Sequence, residues 1–120
     1  MSRDMEFIRE RVSVEDAWKA VAEKTSTTTF LVGDADHLVG IITRKTIEHA
    51  VQSGHGADLI AALAIRDFKY LHEDEPLELA LERFDSNPGL VPVLSRSGNR
   101  KVEGVITIDT LLKFIQKKSA

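Results

Sequence analysis

Read along the chain, apolar and polar positions fall into two alternating regimes, and the same succession occurs twice. Phe7-Ile8 forms a short apolar pair, and Val14, Ala17, Trp18 and Val21 then recur at i, i+3, i+4 and i+7. That spacing predicts an amphipathic helix with one buried stripe. Thr28-Thr29-Phe30-Leu31-Val32 and Leu38-Val39-Gly40-Ile41-Ile42 follow, separated by Gly33-Asp34-Ala35-Asp36, a pattern that predicts a β-hairpin. A second helix is expected from about Arg44 to Gln52.

The succession then starts again. Arg3-Asp4-Met5-Glu6-Phe7-Ile8 falls on Arg66-Asp67-Phe68-Lys69-Tyr70-Leu71, and the register holds through the helix, where Leu77, Ala80, Leu81 and Phe84 repeat the apolar spacing. Gly40-Ile41-Ile42-Thr43-Arg44-Lys45-Thr46-Ile47 falls on Gly104-Val105-Ile106-Thr107-Ile108-Asp109-Thr110-Leu111, with the glycine, one isoleucine and both threonines identical. An internal repeat of this kind is the strongest organising signal a sequence can carry. Pro76 suits the first turn of the second copy's helix, where its missing N–H costs nothing. The second hairpin joins Leu90–Leu94 to Val102–Ile106 through the longer turn Ser95–Lys101, and a last helix is expected over 108–118. Pro92 inside an apparent strand argues for an edge or for the first position of a strand.

The expected organisation is α/β (α+β): two βαββα repeats packed with pseudo-two-fold symmetry. Repeat 1 spans 1–53 and repeat 2 spans 65–118, with a linker over 54–64. In that linker Asp58 is placed to cap a short helix over Leu59–Ala64. Each unit alone holds few buried residues, so the two are expected to share a core between sheet faces.

Composition narrows the function. Net charge is −3, which argues against a nucleic-acid surface and makes any basic site local. Without cysteine there is no disulfide framework, thiolate catalysis or cysteine-ligated zinc. His37, His49, His55 and His72 lack metal spacing, and Asp34-Ala35-Asp36 lacks the rest of a calcium loop. No apolar run approaches the ~20 residues of a membrane helix. The first residues also lack a signal-peptide core. The expected location is the cytoplasm, as a separate protein or as the cytosolic tail of a membrane protein. No Gly-rich phosphate loop, nucleophile elbow or spaced carboxylate pair points to catalysis, so the chain is not expected to be an enzyme.

The duplicated order of helix, hairpin and Gly-hydrophobic-hydrophobic-Thr leading into a helix resembles a tandem pair of CBS domains, or Bateman module. Leu90-Val91-Pro92-Val93 followed by Gly104-Val105-Ile106-Thr107 is similar to that family's most recognisable stretch, and Phe30-Leu31-Val32 with Gly40-Ile41-Ile42-Thr43 repeats it. The long second hairpin and Glu75–Leu81 are similar to pairs from bacterial chloride-channel-type transporters. The resemblance implies a regulatory, ligand-sensing module. Such a module would bind an adenine nucleotide (AMP, ADP or ATP) or a related adenosyl ligand between the repeats, with no obligatory cofactor. It would associate as a homodimer and control an attached or associated enzyme, transporter or channel. The alternative is a ligand-free dimerisation or interaction module.

Candidate ligand residues follow from chemistry and from the resemblance. Thr43 and Thr107 stand where a strand gives way to a helix, whose unpaired N–H groups and partial positive charge suit a phosphate. Each also suits the plain role of helix cap. Arg44 and Lys45 are cations at the first site, whereas Ile108 and Asp109 hold the equivalent positions. The resemblance places an acidic ribose anchor three residues after each Thr, but this chain has Thr46 and Thr110 there. A hydroxyl cannot accept from a vicinal diol as a carboxylate does. Thr29 and Pro92 lie on the strands that would border the two sites. Ile8, Phe30, Leu71 and Val91 are candidates for an adenine slot and equally for core.

Overall fold

The computed structural model describes residues 7–24, 27–84, 87 and 89–119. The Arg3–Glu6 start of the first repeat and the side chains of Lys117 and Lys118 lie outside the described residues. The order is β1 (Phe7–Ile8), α1 (Val14–Val21), β2 (Thr29–Asp34), β3 (His37–Thr43), α2 (Arg44–Gln52), α3 (Ile60–Leu63) and β4 (Leu71–His72). A 3-10 turn (Leu77–Leu79) then runs into α4 (Ala80–Phe84), followed by β5 (Leu90–Leu94), β6 (Val102–Thr107) and α5 (Ile108–Ser119).

Each repeat makes a three-stranded sheet of the same design, ordered β1-β2-β3 and β4-β5-β6. The first strand of each pairs in parallel with the second, and the hairpin closes the sheet antiparallel. Because side chains alternate across a strand, each sheet has two apolar faces to bury. Phe30, Val32 and Ile42 point to the α1/α2 side with Val14, Ala17, Val21 and Ile47. Val91, Val93 and Ile106 point to the α4/α5 side with Ala80 and Leu111. The opposite faces meet in one cluster of Leu31, Leu38, Ile41, Phe68, Leu90, Leu94, Val102 and Val105. The result is four layers, helices–sheet–sheet–helices, with the expected shared core at the centre.

The sheets are also tied edge to edge. The Leu38 N–H donates to the Arg100 carbonyl (3.0 Å) and the Val102 N–H to the Ala35 carbonyl (2.8 Å). Thus the tip of the first hairpin is seated on the second.

Several local expectations are corrected. The first hairpin turn is shorter than the four residues its sequence suggests. Gly33 and Asp34 continue β2, and Asp34 Oδ1 accepts from the N–H groups of Asp36 (2.9 Å) and His37 (3.0 Å). Asp58 does not cap the linker helix. It pairs with His55 (3.3 Å), and Leu59 takes the cap position with no side-chain bond. The second copy's helix is a 3-10 turn plus five residues, with Pro76 at its cap and Leu81 exposed rather than core. Pro92 is on the central strand of its sheet, not an edge. It is tolerated because β4 pairs only from Val93 onward, which leaves that side of Pro92 without a ladder.

The linker is closely held. Ile41 and Ile65 exchange both backbone hydrogen bonds (3.0 and 2.7 Å). They run directly over Gly40, where a Cβ would stand 2.6 Å from the Ile65 carbonyl oxygen. The Val14 N–H donates to Asp58, that of Glu15 to Gly56, and that of Ile60 to Val12.

Candidate functional site

A cleft of about 430 Å³ opens at the start of α2, lined by Thr28, Thr29, Thr43, Arg44, Lys45, Glu48 and Gly89. Six of these belong to the first repeat. Gly89 comes from the second, just ahead of β5, so the cleft has a wall from each. Gly89 has φ +85°, and a Cβ there would lie 3.1 Å from Thr29 Oγ1. A side chain at this position would meet strain and the opposite wall together.

Thr43 ends β3 in extended conformation and caps α2, its Oγ1 accepting from the Thr46 N–H at 3.1 Å. The two hydroxyls are 2.8 Å apart. Thr107 and Thr110 repeat this at the start of α5, at 3.3 Å for the backbone bond and 3.2 Å between hydroxyls. In both repeats, therefore, the threonine at the place of an acidic anchor is spent on the cap hydroxyl. The first turn of α2 carries no acid.

Arg44 is turned away from the cleft mouth. Its guanidinium donates to the carbonyls of Val21 (2.5 Å), Ala22 (2.6 Å) and Lys24 (3.3 Å) and lies 5.1 Å from the Trp18 ring centre. These are the orphan carbonyls at the end of α1, where a cation also meets the negative end of the helix dipole. The Arg44 N–H donates to Thr28 (2.8 Å), fixing the start of α2 to the strand beside it.

Lys45 is exposed at the cleft, and Glu48 lines it, its Oε1 accepting from Gln52 Nε2 at 3.4 Å. Among the described residues Lys45 and Glu48 form no ion pair with each other. The lining thus brings together three threonines, a glycine, one lysine and one glutamate, beside an arginine whose guanidinium is bonded to the end of α1.

The other candidates lie elsewhere. Ile8 and Phe30 are in the core beneath α1 and α2, and Leu71 and Val91 in the core beneath α4 and α5. Pro92 is buried within β5. Thr107, Asp109 and Thr110 stand together at the start of α5, with Asp109 exposed. Thr28, Glu48 and Gly89 line the cleft without having been singled out in the sequence. Glu48 carries a usable signal, since it lies one helical turn beyond Arg44 and Lys45. Gly89 has only the weak signal of a glycine ahead of a strand.

An exposed ion pair lies away from the cleft. Arg96 donates to Asp74 at 2.7 Å. That bond holds the Asp74 carboxyl below its ordinary range and raises the Arg96 guanidinium. Among the described residues no cluster of metal-ligating side chains is present, and no helix is long and apolar enough to cross a membrane.

The sequence matches the family model described as CBS domain over residues 1–53 and 60–117. It is 30% identical over 112 residues to an L-aspartate semialdehyde sulfurtransferase of Methanosarcina acetivorans, covering 92% of this chain and 22% of that protein. It is 26% identical over 118 residues to a homoserine O-acetyltransferase of Methanohalobium evestigatum, covering 98% of this chain and 23% of that protein. The chain therefore spans less than a quarter of the length of these curated relatives. Among solved structures it is similar to the CBS domain pair of protein MJ0100 in complex with 5'-methylthioadenosine and S-adenosyl-L-methionine. That match has a TM-score of 0.74 and 26% identity, covering 98% of this chain and 93% of the other.

Proposed function

The chain belongs to the CBS-domain family as a tandem pair, and from that premise we propose that it is a regulatory module taking an adenosyl ligand in the Thr43 cleft. The observation that carries this reading is the composition of the cleft walls. Thr28, Thr29 and Thr43 face Gly89 of the other repeat, so a ligand there touches both repeats at once. A ligand shifts a conformational balance only by its differential affinity for the two states, and a site with walls on two bodies provides that difference. The hydroxyls supply neutral hydrogen-bond partners for a ribose, and the α2 N-terminus a weak positive end.

The charge of the lining supports one kind of adenosyl ligand over another. With Arg44 committed to α1, Lys45 is the one cation among the described lining residues that faces the cleft mouth, and Glu48 balances it. A triphosphate bears several negative charges and calls for several cations, whereas an uncharged adenosyl compound, or one whose carboxylate is outweighed by a sulfonium and an ammonium, does not. S-adenosyl-L-methionine and 5'-methylthioadenosine, the ligands of the MJ0100 pair, fit that balance, with AMP, ADP and ATP ranked after them. The module works in the cytosol and regulates an enzyme, transporter or channel, fused or associated, as the much greater length of the curated relatives suggests.

The hydroxyl pairing of Thr46 with Thr43 and of Thr110 with Thr107 favours a second reading, a pair that acts through protein contacts without a ligand. Melting the protein against S-adenosyl-L-methionine, 5'-methylthioadenosine, AMP, ADP and ATP separates the two. A ligand at 100 times its Kd adds about 2.7 kcal/mol of stability. The expected order is the two thio-adenosyl compounds first and ATP last, with Thr43→Val weakening whichever binds. A flat response across the panel refutes the sensor reading in favour of the interaction module.

A further inference from the structure

Helix α2 departs from two local rules at Lys45 and Glu48, both of which line the Thr43 cleft. The first turn of a helix favours acids and disfavours cations, because its unpaired N–H groups make a partial positive charge. α1 follows this rule with Glu15 and Asp16, and α5 with Asp109. α2 instead opens on Arg44 and Lys45 and has no acid in that turn. Arg44 is accounted for by the carbonyls at the end of α1. Lys45 has no such partner among the described residues.

The second rule concerns order. An acid that precedes a base on a helix is the favourable arrangement, and Glu15 and Lys19 in α1 adopt it at 3.7 Å. Lys45 and Glu48 stand in the reverse order, and among the described residues no ion pair joins them. The second repeat has Asp109 and Leu112 at the equivalent positions, so the fold itself does not ask for these charges. Departures from local rules that do nothing for the fold gather at functional sites.

What the two residues can hold follows from their spacing. Residues three apart on a helix have Cβ atoms about 5–6 Å apart on one side of it. A lysine and a glutamate so placed, free of each other on one cleft wall, match a group with a carboxylate and an ammonium on the same carbon. That group is the α-amino-acid zwitterion. The rest of the lining, Thr28, Thr29, Thr43 and Gly89, is uncharged and is left for the adenosine. At about 430 Å³ the cleft is within the size range of small-molecule sites.

We infer that Lys45 and Glu48 select the amino-acid end of the ligand, Lys45 Nζ donating to its carboxylate and the Glu48 carboxylate accepting from its ammonium. The cleft then takes an adenosyl α-amino acid in preference to an adenosine derivative that lacks this end. The inference rests on the adenosyl reading of the cleft and names the residues that discriminate within it. S-adenosyl-L-methionine and S-adenosyl-L-homocysteine both carry the zwitterion, and 5'-methylthioadenosine does not.

Isothermal titration calorimetry of the 120-residue chain with these three compounds tests the assignment. The two amino-acid compounds are expected to bind about ten-fold tighter than 5'-methylthioadenosine, the worth of one charge-assisted hydrogen bond. Lys45→Met and Glu48→Gln should each remove most of that advantage and leave 5'-methylthioadenosine binding unchanged. Lys45→Met should also melt no lower than the native chain, since a cation is unfavourable in that turn. A native chain that binds all three alike overturns the inference and leaves the adenosyl reading standing. A variant that weakens 5'-methylthioadenosine in the same proportion overturns it too, by making the effect one of cleft shape. Tight S-adenosyl-L-methionine beside weak S-adenosyl-L-homocysteine overturns it by assigning Glu48 to the sulfonium. If none of the three binds, the adenosyl reading itself falls and this inference falls with it.

Discussion

Arg44→Met asks whether the arginine in the cleft lining holds the fold or a ligand. The guanidinium closes the end of α1 with two short bonds, to Val21 and Ala22, and a longer one to Lys24. A hydrogen bond from a charged donor contributes about 1.5–3 kcal/mol net, and the partly buried pair together contributes roughly 3–6 kcal/mol. The Trp18 contact adds about 0.5–1 kcal/mol, and fixing an arginine costs about 2 kcal/mol of rotamer freedom that methionine partly regains. Water can also replace the guanidinium at the outermost carbonyl. The expected loss is therefore about 2–3 kcal/mol, or roughly 8–12 °C in melting temperature for a domain of this size. The assay is thermal unfolding by circular dichroism without ligand, alongside Arg44→Lys. Lysine keeps the charge but cannot reach three carbonyls as a fork does, so it should recover only a minor part. Met within about 2 °C of the native chain would refute the reasoning, since a loss below about 0.5 kcal/mol leaves no room for the cap.

Three further outcomes are expected. Thr46→Asp supplies the acid that the first turn of α2 lacks and should add about 0.3–1 kcal/mol by chemical denaturation. It should also tighten any ligand bearing a vicinal diol; unchanged stability would show that the α2 N-terminus does not act as a positive end. Asn87 is buried and spans Lys69 and Leu90 with three hydrogen bonds, its Oδ1 accepting from the Lys69 N–H and its Nδ2 donating to both carbonyls. Asn87→Ala strands those backbone groups and should cost about 3 kcal/mol in urea unfolding, and a cost under about 1 kcal/mol would refute that accounting. Asp74 has its folded pKa lowered by Arg96, so its stabilisation is present above the unfolded value and is lost as pH falls through the folded one. The melting-temperature gap between native and Asp74→Asn protein should be widest near neutral pH and close in acid; a gap that widened in acid would contradict the assignment.

The strands and the α1 and α2 helices were legible because each rests on a local rule. Ser13 accepts from the Asp16 N–H at the start of α1, and the apolar spacing of Val14, Ala17 and Val21 matches the face that is buried. Thr43 and Thr107 were legible as caps for the same reason. What the pattern misjudged involves competition with distant parts. Leu81 continues a helical stripe on paper, yet the short α4 gives it no core to enter. Asp58 has the chemistry of a cap, but its carbonyl is already held by the Val14 N–H and its side chain by His55. The role of Arg44 was hidden because its partners lie 20 to 23 residues back along the chain, at the end of another helix. Gly89 was hidden because only the packing of one repeat on the other brings it to the cleft.

The way Ile65 and Ile41 are zipped over Gly40 bears on where the molecule can bend. A turn-rich stretch such as Ser53–Asp58 invites the picture of two beads on a string, pivoting at the string. Here the string is sewn into the first bead as far as Ile65, so that stretch cannot serve as the pivot. Any swing between the halves must be taken up beyond it, in the few residues before β4, while Phe68 slides within the central layer. Small rotations that preserve that layer are then the natural motion, and a separately expressed first half would need to run through Ile65 to keep its own sheet closed.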